Sequence, residues 1–222
     1  MSSTTGSASA ATGGERLLPR REPLQRRSVE RAQRILDVTA ALLDDVGFDA
    51  LTTILIARAA GISVGTLYHY FPNKHAIMCA LAERWLREVE ASLDEIERWR
   101  LDALPLAEFV ERVVERQLAV YRAQQGILHL VQAMFSVPEL RGLDQRHDEL
   151  VIARMTAAFA RLGLRGTANE LGRIARAWLE LTHALLLVVV NQNGVRARRT
   201  LADLKRLALC LLQPYQDDGE ES

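Results

Sequence analysis

The sequence predicts an all-α protein of about nine helices: an N-terminal three-helix head with a helix-turn-helix, and a larger helical half behind it. Three observations lead there. Apolar residues recur at three- and four-residue spacing along most of the chain. Capping residues, Gly and Pro punctuate it at helix-length intervals. Nowhere do short alternating β-branched runs lie between turn signals.

The elements follow in order. Ser28 is expected to cap a first helix with Ile35, Val38, Leu42 and Val46 on one stripe, stopped by Gly47. Thr52 caps a second, about 53–60, closed by Gly61. Ser63 caps a third, about 64–71, and Pro72 breaks the chain. Asn73 caps a fourth, from Lys74 to about Trp99, with Met78, Leu81, Trp85, Val89, Leu93 and Ile96 as its stripe. Pro105 opens a fifth, interrupted by Gly126, and a sixth covers 127–136. Pro138 starts a seventh, to about Leu162. An eighth runs from about Ala168 to Gln192, stopped by Asn193-Gly194, and a ninth from about Thr200 to Tyr215.

Composition narrows the function. The 222 residues are 49% apolar and 25% charged, enough for a substantial core. Formal net charge is zero, so a nucleic-acid contact has to come from a local patch. Cys79 and Cys210 lie far apart with no CxxC, which excludes a disulfide framework and a zinc ribbon. They read as two reduced thiols, with a redox sensor as the other reading. Residues 1–14 lack a charged start and an apolar stretch, so no signal peptide is expected. The longest apolar run, Ala184 to Val190, is far shorter than the roughly 20 residues a membrane span needs. A cytoplasmic protein without membrane association is therefore expected. Residues 1–27 read as a disordered arm, in which Arg16, Arg20, Arg21, Arg26 and Arg27 outnumber Glu15 and Glu22. Such an arm either stays solvated or lies along a phosphate backbone.

The stretch from Thr53 to Tyr70 carries the function. Ala57 is small where two helices cross, Gly61 sits at the turn, and Ile56, Ala60, Ile62, Leu67 and Tyr70 close a small core. On a helical wheel Leu67, Tyr70 and Phe71 point inward, Gly65 and His69 away, with Thr66 and Tyr68 on the flanks. Gly65 leaves bare backbone on the outward face. Ser63 and the N–H groups beside it suit a phosphate oxygen. Lys74, at the positive end of the fourth helix, is locally unfavourable unless an anion lies nearby.

These residues resemble a family. Gly47 through Thr53, Ile56-Ala57, Ala60 to Ser63, and Gly65-Thr-Leu-Tyr-His-Tyr-Phe-Pro-Asn-Lys74 are similar to the DNA-binding domain of TetR-family transcriptional regulators. The match covers about residues 28–85. The resemblance implies double-stranded DNA as partner, with contacts from Thr52, Thr53, Ser63, Val64, Gly65, Thr66, Tyr68, His69 and Lys74. Ile54, Leu55 and Val64 are apolar, and His75 replaces a common Glu. No Arg or Asn stands on the recognition helix to read a base edge, so methyl contacts, His69 and DNA shape carry specificity.

Beyond residue 85 the resemblance is architectural. The eighth helix turns apolar all round from Ala184, and the ninth sets Leu201, Leu204, Ala208, Leu211 and Tyr215 as a pairing seam. These helices, about 168–192 and 200–215, are expected to form a homodimer and so to ask for a palindromic operator; closure of the monomer core is the other reading. The family implies a pocket for a small hydrophobic effector. Phe109, Gln117, Tyr121, Met134, Trp178 and Thr182 are its candidate lining, with Phe135, His129 and His183 nearby. For each, an internally satisfied core residue is the other reading.

The expected domains are the arm at 1–27, the helix-turn-helix domain at 28–74, a ligand-binding and dimerisation domain at 75–215, and an acidic tail at 216–222. No catalytic motif, metal-ligand spacing or cofactor loop is present. The function expected is a homodimeric repressor released by a hydrophobic ligand. The alternatives are an activator, or an all-α dimerising small-molecule-binding protein.

Overall fold

A computed structural model of the chain describes residues 21–216. The Gly- and Ser-rich start with Arg16 and Arg20, the acidic residues 217–222, and the side chains of residues 21–25, Phe135, Ser136, Pro138 and Glu139 lie outside the described residues. The order is α1 (Arg21–Ala50), α2 (Thr53–Ala60), α3 (Val64–Tyr70), α4 (Lys74–Glu97), α5 (Leu106–Ala123), α6 (Ile127–Ser136), α7 (Pro138–Arg161), α8 (Ala168–Val190) and α9 (Gly194–Leu212). Two 3₁₀ turns, Leu101–Ala103 and Gln213–Tyr215, complete it, and no strand occurs among the described residues.

The predicted caps account for the middle of the chain. Thr52, Ser63 and Asn73 each have extended backbone and accept a bond from the N–H three residues on, at 3.1, 3.0 and 2.8 Å. Thr167 and Glu170 close a reciprocal capping box on α8. Gly61 takes the left-handed conformation (φ 68°, ψ 34°) that turns α2 into α3.

Three expectations need correction. The first helix starts at Arg21, ahead of Ser28, so part of the predicted arm is helical. Pro23 is tolerated in a first turn, where its missing N–H has no intrahelical partner, and Arg26 pairs with Glu30 one turn on at 2.9 Å. Its buried stripe is Ile35, Leu36, Thr39, Ala40 and Leu43, while Val46 is exposed. The ninth helix starts at Gly194, ahead of Thr200. Asn193-Gly194 does make the turn, but the Arg- and Ala-rich residues after it re-enter helix at once.

The core is continuous from Ile35 to Leu212. In the head α1 packs on α2, and α2 on α3. Helix α4 leaves the head to pack on α5, α6 and α7; α8 lies between α7 and α9. Two contacts tie head to body. Arg84 of α4 pairs with Asp37 of α1 at 2.6 Å. Gly126, at φ 66°, presses the start of α6 onto α1, where an added Cβ would stand 2.8 Å from the Ala40 carbonyl oxygen.

The proposed pairing seam needs a further correction. Leu204, Ala208 and Leu212 are fully buried within the single chain. They close the monomer core. The exposed large apolar residues of α8 and α9 are Val188, Val195 and Leu207.

Candidate nucleic-acid interface and effector cavity

Helices α2 and α3 build one outward platform. Leu67, Ile56 and Ala57 are buried and anchor it. Thr52 is exposed and uses its hydroxyl oxygen as an acceptor for the Leu55 N–H. The Thr53 hydroxyl meets the Tyr68 hydroxyl at 3.2 Å, so the start of α2 fixes a tyrosine that is 49% exposed. Ser63 is bonded to both the N–H and the hydroxyl of Thr66, at 3.0 and 2.8 Å. Val64 packs half-buried against the core. Gly65 and His69 are exposed. A Cβ at Gly65 would meet only the Ser63 hydroxyl, at 3.8 Å, so internal packing does not demand the glycine.

Lys74 sits differently from the expectation. Its ammonium donates to the Phe48 carbonyl at 3.1 Å and lies 4.1 Å from the centre of the Phe48 ring. Its awkward place at the start of α4 is thus offset within the chain, by a carbonyl at the end of α1. Ile54, 68% exposed, adds an apolar side chain to the α2 surface.

The second site is a cavity of about 30 Å³ between α4, α5, α7 and α8, room for about two waters. Helix α4 contributes Trp85, Val89 and Ser92; α5 contributes Gln117, Val120 and Tyr121. Helix α7 adds Asp144, His147, Asp148 and Val151, and α8 adds Leu179, Thr182 and His183. Of the six candidate lining residues, Gln117, Tyr121 and Thr182 meet here. Phe109 and Trp178 pack instead with Phe159 as an aromatic cluster, ring centres 5.8–6.1 Å apart. Met134 is buried away from the cavity. His129 abuts Gly47 at the end of α1.

Polar groups in this cavity are unevenly satisfied. Thr182 donates back to the Trp178 carbonyl at 2.8 Å, and Tyr121 shares a 2.6 Å bond with His183 Nδ1. Trp85 Nε1, Ser92 Oγ, Gln117 Oε1 and His147 Nδ1 are buried without a partner. Burial, then Asp144 and Glu180, push the Asp148 carboxyl up to about 6, against a smaller opposing pull from Arg176. Burial, then Glu180, raise Asp144. Burial, then His183, bring His147 down to about 4, and burial lowers His183 too. The imidazoles are neutral near pH 7.

Sequence reasoning missed Trp85, Ser92, Asp144, His147 and Asp148 as lining. A signal existed. Leu140, Asp144, His147 or Asp148, Val151 and Met155 form one helical stripe that is apolar at both ends and ionisable in the middle. Ser92 interrupts the α4 stripe in the same way.

No group of three or more His, Cys, Asp or Glu able to hold a metal occurs among the described residues. No described helix is long and apolar enough to cross a membrane.

Comparison with known proteins agrees with this geometry. Residues 35–81 match the family described as "Bacterial regulatory proteins, tetR family", and residues 105–212 match "Tetracyclin repressor-like, C-terminal domain". The HTH-type transcriptional regulator BetI of Vibrio campbellii is 27% identical over 165 residues, 64% of this chain and 83% of that protein. The HTH-type transcriptional repressor KstR of Rhodococcus jostii is 46% identical over 59 residues, 26% of this chain and 28% of its own length. Among solved structures, a TetR-family transcriptional regulator from Streptomyces coelicolor superposes with a TM-score of 0.58 at 25% identity, covering 84% of this chain and 99% of that one.

Proposed function

The chain belongs to the TetR family of bacterial transcriptional regulators, DNA-binding proteins rather than enzymes, and from that premise we propose that it is a homodimeric repressor of a palindromic operator, released by a small molecule. The observation that carries the reading is the braced α2–α3 platform. Its capping bonds and the Thr53–Tyr68 contact hold Gly65, Tyr68 and His69 outward on a short helix sized for a major groove.

Val188, Val195 and Leu207, exposed on adjacent helices, favour a second copy of the chain as their cover. A two-fold pair would set its recognition helices roughly 34–36 Å apart, one DNA turn. Release runs through α4. Trp85 lines the cavity, and its neighbour Arg84 grips α1 through Asp37. A ligand that parts the cavity walls shifts α4 and changes the spacing of the two heads, favouring the arrangement that DNA does not. The apolar walls, Val89, Val120, Val151 and Leu179, suit an effector with a hydrophobic body.

The test is selection of random double-stranded DNA by the full chain, followed by sequencing. An enriched inverted repeat supports the reading; no enrichment at low salt by folded protein overturns it. The dimer is tested with Leu207→Asp, which should yield a folded monomer. An intact dimer there would move the interface elsewhere. Leu204→Asp, aimed at the buried seam, should instead unfold the chain.

A further inference from the structure

We propose that the cavity takes a small organic cation, whose charge sits between Asp144 and Asp148 beside the Trp85 ring and whose N–H groups are accepted by Gln117 Oε1. This rests on the effector reading above and narrows it from a hydrophobic molecule to a positively charged one.

Two independent observations meet in one place. The first is charge. Asp144 and Asp148 stand one helical turn apart on α7 and both line the cavity. Neither belongs to an ion pair among the described residues. Glu180 on α8 adds a third negative charge that acts on both, and Arg176, acting on Asp148, is the opposing cation. Elsewhere the chain pairs its carboxylates readily: Glu111 and Glu115 on Lys205, Glu95 on Arg116, Asp94 and Glu97 on Arg154.

The second is unmet bonding. Ser92 is 1% exposed, Trp85 3%, Gln117 8% and His147 8%. Each lines the same space and carries a buried polar atom without a partner. Buried polar atoms are almost always paired, and four orphans around one void mark a place where something polar is missing.

The classes of occupant separate on this basis. An anion would meet the Asp144 and Asp148 carboxylates, with Glu180 adding to their charge. A neutral apolar body would leave Gln117 Oε1 unpaired and bury the acid pair further. An ammonium answers both the charge and the Gln117 Oε1 acceptor, in a cavity that Trp85 also lines. The space of about 30 Å³ admits an ammonium head, while the organic body has to part the aliphatic walls.

The experiment is calorimetric titration of the full chain with primary ammonium ions graded from ethylammonium to phenethylammonium. Each is set beside the alcohol and the carboxylate of the same shape. Binding of ammonium members about tenfold or more tighter than their alcohols, with no carboxylate binding, is expected. Asp144→Asn and Asp148→Asn should each weaken that binding by about tenfold, and Gln117→Leu supplies a third probe should either aspartate variant fail to fold. Equal affinity for alcohol and ammonium, preference for the carboxylate, indifference to all three substitutions, or binding of no ammonium member would each overturn the proposal. The same protein is then titrated on its selected DNA. A cation that binds yet does not release DNA sustains the cation site and removes the effector role. A chain that selects DNA but takes up no cation keeps its regulator assignment and loses this one.

Discussion

Ser63 and Ser92 carry the same hydroxyl into two regions built on opposite terms. In the head, Ser63 is bonded twice, to the N–H and the hydroxyl of Thr66, and Thr52, Thr53 and Asn73 are likewise engaged. In the cavity, Ser92 is buried with no partner, and so are Trp85 Nε1, Gln117 Oε1 and His147 Nδ1. The head is complete before DNA arrives and presents a rigid surface. The cavity is incomplete, with repelling acids and unmet acceptors, and gains by being filled. The regulator proposed above calls for both: a reader whose shape does not drift, and a sensor whose resting state is easily displaced.

The joint between the regions gives the largest expected effect. Gly126→Ala places a Cβ against the Ala40 carbonyl at a residue with φ 66°, where an L side chain is strained in any case. It should cost about 2 kcal/mol or more in denaturant unfolding at equal protein concentration. An unchanged unfolding midpoint would mean that α6 does not press on α1 as described.

Tyr68→Ala sharpens the view of the head as a finished reading surface. The ring is half exposed, so folding stability should hardly move while operator affinity falls about tenfold, or about 1.4 kcal/mol. DNA titration beside a thermal melt separates the two. Full affinity in the variant would remove Tyr68 from the interface.

The two serines offer the most direct contrast. Ser63→Ala removes a satisfied cap and should cost about 1 kcal/mol. Ser92→Ala removes an unsatisfied hydroxyl from a void and should be neutral or slightly stabilising. Equal losses at both positions would erase the distinction between the regions.

The head was largely legible in the sequence because its rules are local. Thr52, Gly61, Ser63 and Asn73 act within three or four residues, and α2 begins and ends where they place it. Local signals misled where a neighbour decided the outcome. Asn193-Gly194 does separate α8 from α9, but α9 begins at Gly194 instead of near Thr200. Leu204 and Ala208 read as a pairing seam for a second copy, but α8 and α5 cover that face within one chain. Lys74 read as an unpaired cation, and its partner, Phe48, lies 26 residues earlier in the chain. The cavity was least legible, since its walls come from four helices whose mutual rotation no single stretch encodes. Phe109, Met134 and Trp178 read as apolar walls of the pocket, but they fill the core; the cavity is marked by polar residues that interrupt apolar stripes.

The central claim is that the cavity is held at a cost to the resting fold, and Asp148 tests it most directly. Its carboxyl is raised from an ordinary 3.8 to about 6 in the folded chain, with Asp144 and His147 on its own helix, Tyr121 on α5, and Arg176, Glu180 and His183 on α8 around it. A raised acid favours folding below pH 3.8, and that advantage is lost as pH climbs through 6. His147, lowered from 6.5 to about 4, works in the opposite direction over much of that range, so the whole-protein curve blurs the effect. Comparing Asp148→Asn with the unaltered chain cancels the shared groups. Their unfolding temperatures, followed from pH 4 to pH 8 without ligand, should coincide at the acid end. The variant should draw ahead of the unaltered chain between about pH 4 and 6 and hold that lead above 6. A variant that is less stable across the whole range would show that the Asp148 carboxylate supports the resting fold, and would contradict the account.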